Sequence, residues 1–144
     1  MQQFLPNGVL ASVCQPTSMT EEPAAFIIAV VDDDQSVLDA LGLLLDSANY
    51  GVLLFTSGQA LLDSASLPEI SCLISDIDMP GMDGFELLRQ VRTYRATLPT
   101  ILITGYPDAL ARLPRTALPT RFFSKPLQAP ELLAAVSECL KLGS

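Results

Sequence analysis

Acidic side chains stand where apolar runs stop. Asp32, Asp33 and Asp34 follow the run from Ala25 to Val31, and Asp76 follows Ser71 to Ser75, with Asp78 two residues on. Thr104 closes the run that starts at Thr100 and is followed by Gly105, and Lys125 follows Arg121 to Ser124. If these runs are strands of one sheet, their carboxyl ends bring several carboxylates, a hydroxyl and an ammonium into one crevice. Carboxylates held ~4 Å apart at an effective dielectric of ~20 repel by ~4 kcal/mol per pair. One Lys cannot neutralise three of them, but a divalent cation can. Carboxylate, carbonyl and water oxygens are hard ligands, the set that suits Mg²⁺, with Mn²⁺ as a substitute. The chain has no His, and no Cys stands at a strand end, which argues against zinc. A carboxylate beside such a cation can attack phosphorus and form an acyl phosphate. The cation and the ammonium stabilise charge on the transferring group, and the hydroxyl donates a hydrogen bond to it. Gly105 leaves room for phosphoryl oxygens beside the backbone. Singly, each residue has a plainer reading: a helix cap, a turn Asp, a strand-end Thr, a surface Lys. Their joint position at successive strand ends favours the site.

The elements that must position these groups are legible in the hydrophobic pattern. Ala25 to Val31 and Ser71 to Ser75 are continuous apolar runs, as expected of strands buried on both faces of a parallel sheet. Val37, Leu38, Leu41, Leu44, Leu45 and Ala48 recur at helical spacing, with Asp34 as a candidate N-cap and Asn49-Tyr50-Gly51 as the stop. Shorter strands are expected at 52–55, 100–104 and 121–124. Helices are expected at 57–65, from about Phe85 to Tyr94, and from Glu131 to Leu142, where Leu132, Leu133, Val136 and Leu140 share a face. Met79-Pro80-Gly81-Met82-Asp83-Gly84 reads as a loop. Alternation of strand and helix predicts an α/β fold with a five-stranded parallel sheet, doubly wound, and ligands in such folds bind outside the carboxyl ends of the strands.

Composition narrows the function classes. The 144 residues suit one domain. Sixteen acidic residues against eight basic ones give a net charge of −8. That balance argues against a nucleic-acid surface and against an anionic membrane surface. No apolar run approaches the ~18 residues of a membrane span. The first 25 residues hold no Lys or Arg, so no signal peptide is expected and the protein is read as cytoplasmic. Cys14, Cys72 and Cys139 are widely spaced and read as small apolar residues in a reducing compartment. Residues 1–23 carry Pro6, Pro16 and Pro23 without periodicity and read as a flexible leader, with the domain proper at 24–144. No Gly-x-Gly-x-x-Gly and no Walker lysine motif occurs, which excludes the common nucleotide-binding fingerprints.

Four segments together resemble the receiver domain of two-component response regulators. They are Val30-Val31-Asp32-Asp33-Asp34, Ile74-Ser75-Asp76-Ile77-Asp78-Met79-Pro80-Gly81-Met82-Asp83-Gly84, Ile103-Thr104-Gly105 and Phe123-Ser124-Lys125-Pro126. The resemblance runs from about Ala25 to Leu142 and implies the flavodoxin-like receiver fold. It implies that Asp76 is the phosphoacceptor. It implies that Asp33 binds Mg²⁺ directly with Asp76, that Asp32 does so through water, and that Asp78 supplies its backbone carbonyl. Thr104 matches the switch hydroxyl, Lys125 the lysine that pairs with the phosphoryl group, and Phe122 the aromatic switch position. Asp78 and Tyr106 match positions that tune dephosphorylation, and the Lys125–Pro126 peptide is usually cis in the family. Thr104-Gly105 looks like the receivers of nitrogen-fixation-type regulators. The implied partners are a sensor histidine kinase or histidine phosphotransfer protein, which supplies the phosphohistidine this chain lacks, and a downstream protein target. The implied role is signalling rather than enzymatic.

One departure from the family lies between Thr104 and Lys125. Pro114 inside a helix would cost ~3 kcal/mol, so the helix after the fourth strand is expected to be short, broken or displaced. The family dimerises through that face, and a weakened dimer is expected here. Because little follows the closing helix, a stand-alone receiver is expected, with the receiver part of a longer DNA-binding regulator as the alternative. A haloacid-dehalogenase-type phosphatase is a remote rival, since Asp76-Ile77-Asp78, Thr104 and Lys125 mimic its motifs. That family needs its acidic pair after the Lys, and no Asp follows Lys125.

Overall fold

The apolar runs pair side by side. The computed structural model describes residues 26–106, 108 and 120–142. Strands β1 (Ile27–Val31), β2 (Gly51–Phe55), β3 (Cys72–Asp76), β4 (Thr100–Thr104) and β5 (Arg121–Ser124) form one parallel sheet in the order β2-β1-β3-β4-β5. Helices α1 (Gln35–Ser47), α2 (Gly58–Asp63), α3 (Gly84–Tyr94) and α4 (Ala129–Leu142) connect or close the strands, and a 3₁₀ turn spans Leu67–Glu69. The interior strands β3 and β4 are buried at every position, whereas edge strands β2 and β5 are only partly covered. This is why the interior runs are continuously apolar and the edges admit Arg121 and Ser124. Arg121 pairs with Glu138 of α4 at 2.6 Å and lies over the Phe123 ring.

Alternating strand residues feed two cores. On one face Ile28, Val30, Ile74 and Ile101 pack with Leu38, Leu41 and Leu45 of α1 and with Leu132 and Val136 of α4. On the other, Ala29, Val31 and Leu73 pack with Leu61 of α2 and with Leu87 and Val91 of α3. The sheet is therefore wound on both sides, as the pattern predicts. Cys72 and Cys139 are both buried, unbridged members of the first core.

Helix ends follow local chemistry, with one correction to the sequence reading. Asp34 caps α1 as expected, accepting from the Ser36 N–H, a contact of a kind worth about 1 kcal/mol. Ser57 caps α2 and Asp83 caps α3 in the same way. Within the expected stop Asn49-Tyr50-Gly51, Asn49 takes the left-handed conformation at φ 72°, and Gly51 already begins β2. Asn tolerates this left-handed conformation better than most residues, and the Tyr50 N–H bonds back to the Leu45 carbonyl. Helix α4 starts at Ala129, earlier than Glu131, because Pro130 falls in the first turn, where no N–H is needed. The leader, Cys14 and the Pro114 segment lie outside the described residues, and so does the weakened-dimer expectation that rests on Pro114. Among the described residues no helix is long and apolar enough to cross a membrane.

Candidate functional site

Parallel register brings the carboxyl ends of β1, β3, β4 and β5 to one rim. Val31 pairs with Ser75, Asp76 with Ile103, and Thr104 with Ser124. Asp32, Asp76, Thr104 and Lys125 thus stand at or one step beyond adjacent strand ends. Asp32 and Asp76 are 3% and 5% exposed, Thr104 is fully buried, and Asp33 is exposed at the mouth.

Carboxylate oxygens of Asp32, Asp33 and Asp76, one from each, lie within 4.8 Å of one another. The Lys125 ammonium reaches in from the β5–α4 connection and stands 3.4 Å from both Asp32 Oδ2 and Asp76 Oδ1. Asp76 Oδ1 is buried and has no aligned hydrogen-bond donor, so its contact with Lys125 is an ion pair only. A buried, unsatisfied carboxylate oxygen costs free energy unless another group neutralises it. An all-oxygen donor set around such an atom fits a Mg²⁺-class cation.

The charge distribution leaves its mark on the titration of these groups. Burial pushes the Asp76 carboxyl up to about 6, with help from the Asp32 charge, and Lys125 only partly opposes this. Burial also raises Asp32, against the Asp34 N–H, which donates to Asp32 Oδ1 at 2.9 Å, and against Lys125. Partial burial disfavours the Lys125 charge, but Asp76 and Asp32 together outweigh it and hold its pKa above the ordinary value.

The other expected site residues sit around this centre. The Thr104 hydroxyl donates to Asp78 Oδ2 at 2.7 Å and accepts from the Tyr106 N–H at 2.9 Å. Tyr106 therefore meets Thr104 through its backbone, while its side chain is exposed. Phe122 is half-buried against Ile77, Phe85, Leu88 and Leu102, on the face of the sheet that carries α3. The Lys125–Pro126 peptide is cis. Two contributors escaped the sequence reading. Gly84 lets α3 start directly under the end of β3, since a Cβ there would come within 2.5 Å of the Asp76 carbonyl oxygen. The Thr104–Asp78 bond joins residues 26 apart and has no sequence signature of its own.

Comparison with known proteins places this arrangement. Residues 28–137 match the response regulator receiver domain, and the chain belongs to that family. It is 36% identical over 115 residues to the transcriptional regulatory protein FixJ of Bradyrhizobium diazoefficiens, covering 79% of this chain and 56% of FixJ. It is 35% identical over 131 residues to the response regulator protein TodT of Pseudomonas putida, covering 90% of this chain and 58% of TodT. The chain thus spans less than three-fifths of these relatives. Among solved structures, the signal receiver domain of an HD domain-containing protein from Pseudomonas fluorescens superposes with a TM-score of 0.76 at 28% identity, covering 82% of this chain and 96% of that one. The receiver of DrrB activated with BeF₃ superposes at 0.72 with 26% identity, covering 81% and 97%.

Proposed function

We propose that the protein is a phosphorylation-controlled signalling domain whose phosphoacceptor is Asp76. The observation that carries this is Asp76 itself. It is buried, has one oxygen without a hydrogen bond, and is flanked by Asp32, Asp33 and Lys125 at the sheet's carboxyl rim. In the proposed transfer, an Asp76 oxygen attacks the phosphorus of a partner's phosphohistidine. The phosphorus–nitrogen bond breaks, and its electron pair stays with the imidazole. Asp76, Asp33, the Asp78 carbonyl and, through water, Asp32 would hold Mg²⁺, which neutralises charge on the phosphoryl oxygens when bound. Lys125 pairs with a phosphoryl oxygen, and Thr104 turns its hydroxyl to another. Phe122, itself on β5, then repacks and carries the change to the elements beside that strand. The domain handles only its own phosphoryl group and turns over no separate substrate, and it works in the cytoplasm.

The stand-alone form expected from the sequence competes with a second reading. The relatives are substantially longer than the matched region, and FixJ is named a transcriptional regulatory protein. These facts favour a receiver that belongs to a longer transcriptional regulator. Nucleic-acid contact would then fall to another domain, in keeping with the acidic charge here.

The test is intact mass after incubation with acetyl phosphate and Mg²⁺, beside Asp76→Asn. One phosphoryl adduct, absent from the variant and absent without Mg²⁺, is expected. An adduct that persists in Asp76→Asn would overturn the assignment.

A further inference from the structure

We infer that the Asp78 side chain is a positioning residue that locks Thr104 away from the phosphoryl site. The inference rests on the reading of Thr104 as the hydroxyl that binds the phosphoryl group. A threonine hydroxyl has one proton to donate. Here that proton faces two acceptors, Asp78 Oδ2 at 2.7 Å and the Tyr106 carbonyl at 3.2 Å. The shorter contact ends on a carboxylate, and hydrogen bonds to ionised acceptors are roughly twice as strong as neutral ones. The proton is therefore committed to Asp78. The same oxygen accepts from the Tyr106 N–H at 2.9 Å, so the hydroxyl also pins the backbone that leaves β4.

A phosphoryl group on Asp76 needs the proton that Asp78 holds. Thr104 cannot serve both, because rotating its hydroxyl toward Asp76 breaks the bond to Asp78 and releases the Tyr106 N–H together. Asp78 thus sets the energy gap between the resting arrangement and the phosphoryl-bound one, and through Tyr106 it ties that gap to the chain after β4. Ligand affinity is reduced by whatever fraction of molecules is held in the incompetent state. Removing the lock should raise affinity for a phosphoryl mimic.

Two readouts test this. The first is the Thr104 χ1 rotamer, from NMR couplings and methyl shifts, in protein with no metal and no phosphoryl mimic. Asp78→Ala is expected to move Thr104 from one rotamer to a mixture, and Asp78→Asn, whose amide oxygen still accepts, to move it less. The second is calorimetric titration with beryllofluoride at saturating Mg²⁺. Asp78→Ala is expected to tighten binding about tenfold, ~1.4 kcal/mol, and Asp78→Asn about threefold. Removing a negative charge beside the site would also tighten binding, so the titration is repeated in Thr104→Val, which keeps the side-chain shape and lacks the hydroxyl. There Asp78→Ala should change affinity less than twofold, and Thr104→Ser should restore the full effect. Equal tightening with and without the hydroxyl, or an unchanged Thr104 rotamer in Asp78→Ala, would overturn the lock. Failure of the parent protein to bind beryllofluoride would count against the receiver chemistry instead, since the rotamer measurement uses neither ligand.

Discussion

Replacing Asp76 by Asn should stabilise the metal-free protein, and only above a definite pH. Asp76 rises from 3.8 to about 6 because burial and then Asp32 disfavour its charge. In the folded state it therefore holds its proton more tightly than in the unfolded chain. Its favourable contribution is complete below 3.8 and is lost as pH rises through about 6, leaving an ionised carboxylate that opposes folding. About two pKa units at ~1.4 kcal/mol each set a ceiling near 3 kcal/mol. The crevice opens to water, with Asp33 exposed and the Lys125 side chain 30% exposed. Solvent screening should remove about half, leaving about 1.5 kcal/mol. Asn mimics the neutral form. Urea denaturation in EDTA should therefore show Asp76→Asn about 1.5 kcal/mol more stable than the parent near pH 8, a midpoint shift of roughly 0.5–1.5 M. Near pH 4 the two should nearly coincide. Saturating Mg²⁺ should erase or reverse the order, because the parent binds the ion more tightly and gains more by mass action. A metal-free variant less stable than the parent near pH 8, or an equal gain at both pH values, would refute burial, reinforced by Asp32, as the cause of the raised Asp76 pKa.

Other perturbations probe separate parts of the site. Mg²⁺ should raise the melting temperature of the parent, and Asp33→Asn should reduce that rise severalfold, as thermal scans with and without the ion would show. Lys125→Ala removes the cation that, among the described residues, stands between Asp32 and Asp76; urea titration of the metal-free protein near pH 7 should show a loss of about 1 kcal/mol, and mass spectrometry a slower adduct from acetyl phosphate. Because the Lys125 pKa is raised, the stability it lends should persist below its unfolded value of about 10.5 and fade only as pH climbs through its higher folded one. Gly84→Ala places a Cβ 2.5 Å from the Asp76 carbonyl oxygen and 2.8 Å from Ile77 Cα. Both are backbone atoms that cannot swing aside, so a loss of about 1–3 kcal/mol is expected in urea titration.

The sequence reading succeeded where burial dictates residue type and faltered where three-dimensional contact does. Strands β3 and β4 are buried throughout, so both faces demanded apolar residues and the runs were unmistakable. The polar residues that end these runs, Asp76 and Thr104, then marked the candidate site. Edge strands carried a weaker signal, since Leu54 is 40% exposed and Arg121 faces water. The stop after α1 was legible as the segment Asn49-Tyr50-Gly51, in which Asn49 takes the left-handed conformation. Helix α4 starts at Ala129 rather than at Glu131, since a first-turn Pro sacrifices no hydrogen bond.

The Thr104–Asp78 bond shows a different limit. Asp78 and Thr104 were each legible as site residues from position alone, yet their roles depend on which acceptor receives a single proton. Nothing in composition or spacing encodes that choice; it follows from how the loop after β3 and the end of β4 meet across 26 residues. A site of this kind is specified twice. The strand ends set which groups share the crevice, so the proposed chemistry is readable from where the apolar runs stop. The loops set which of those groups are paired at rest, so the energy needed to switch is decided by contacts such as Asp78 on Thr104. Two receivers with the same acidic cluster and the same Lys can therefore share a mechanism and still differ in how readily they respond.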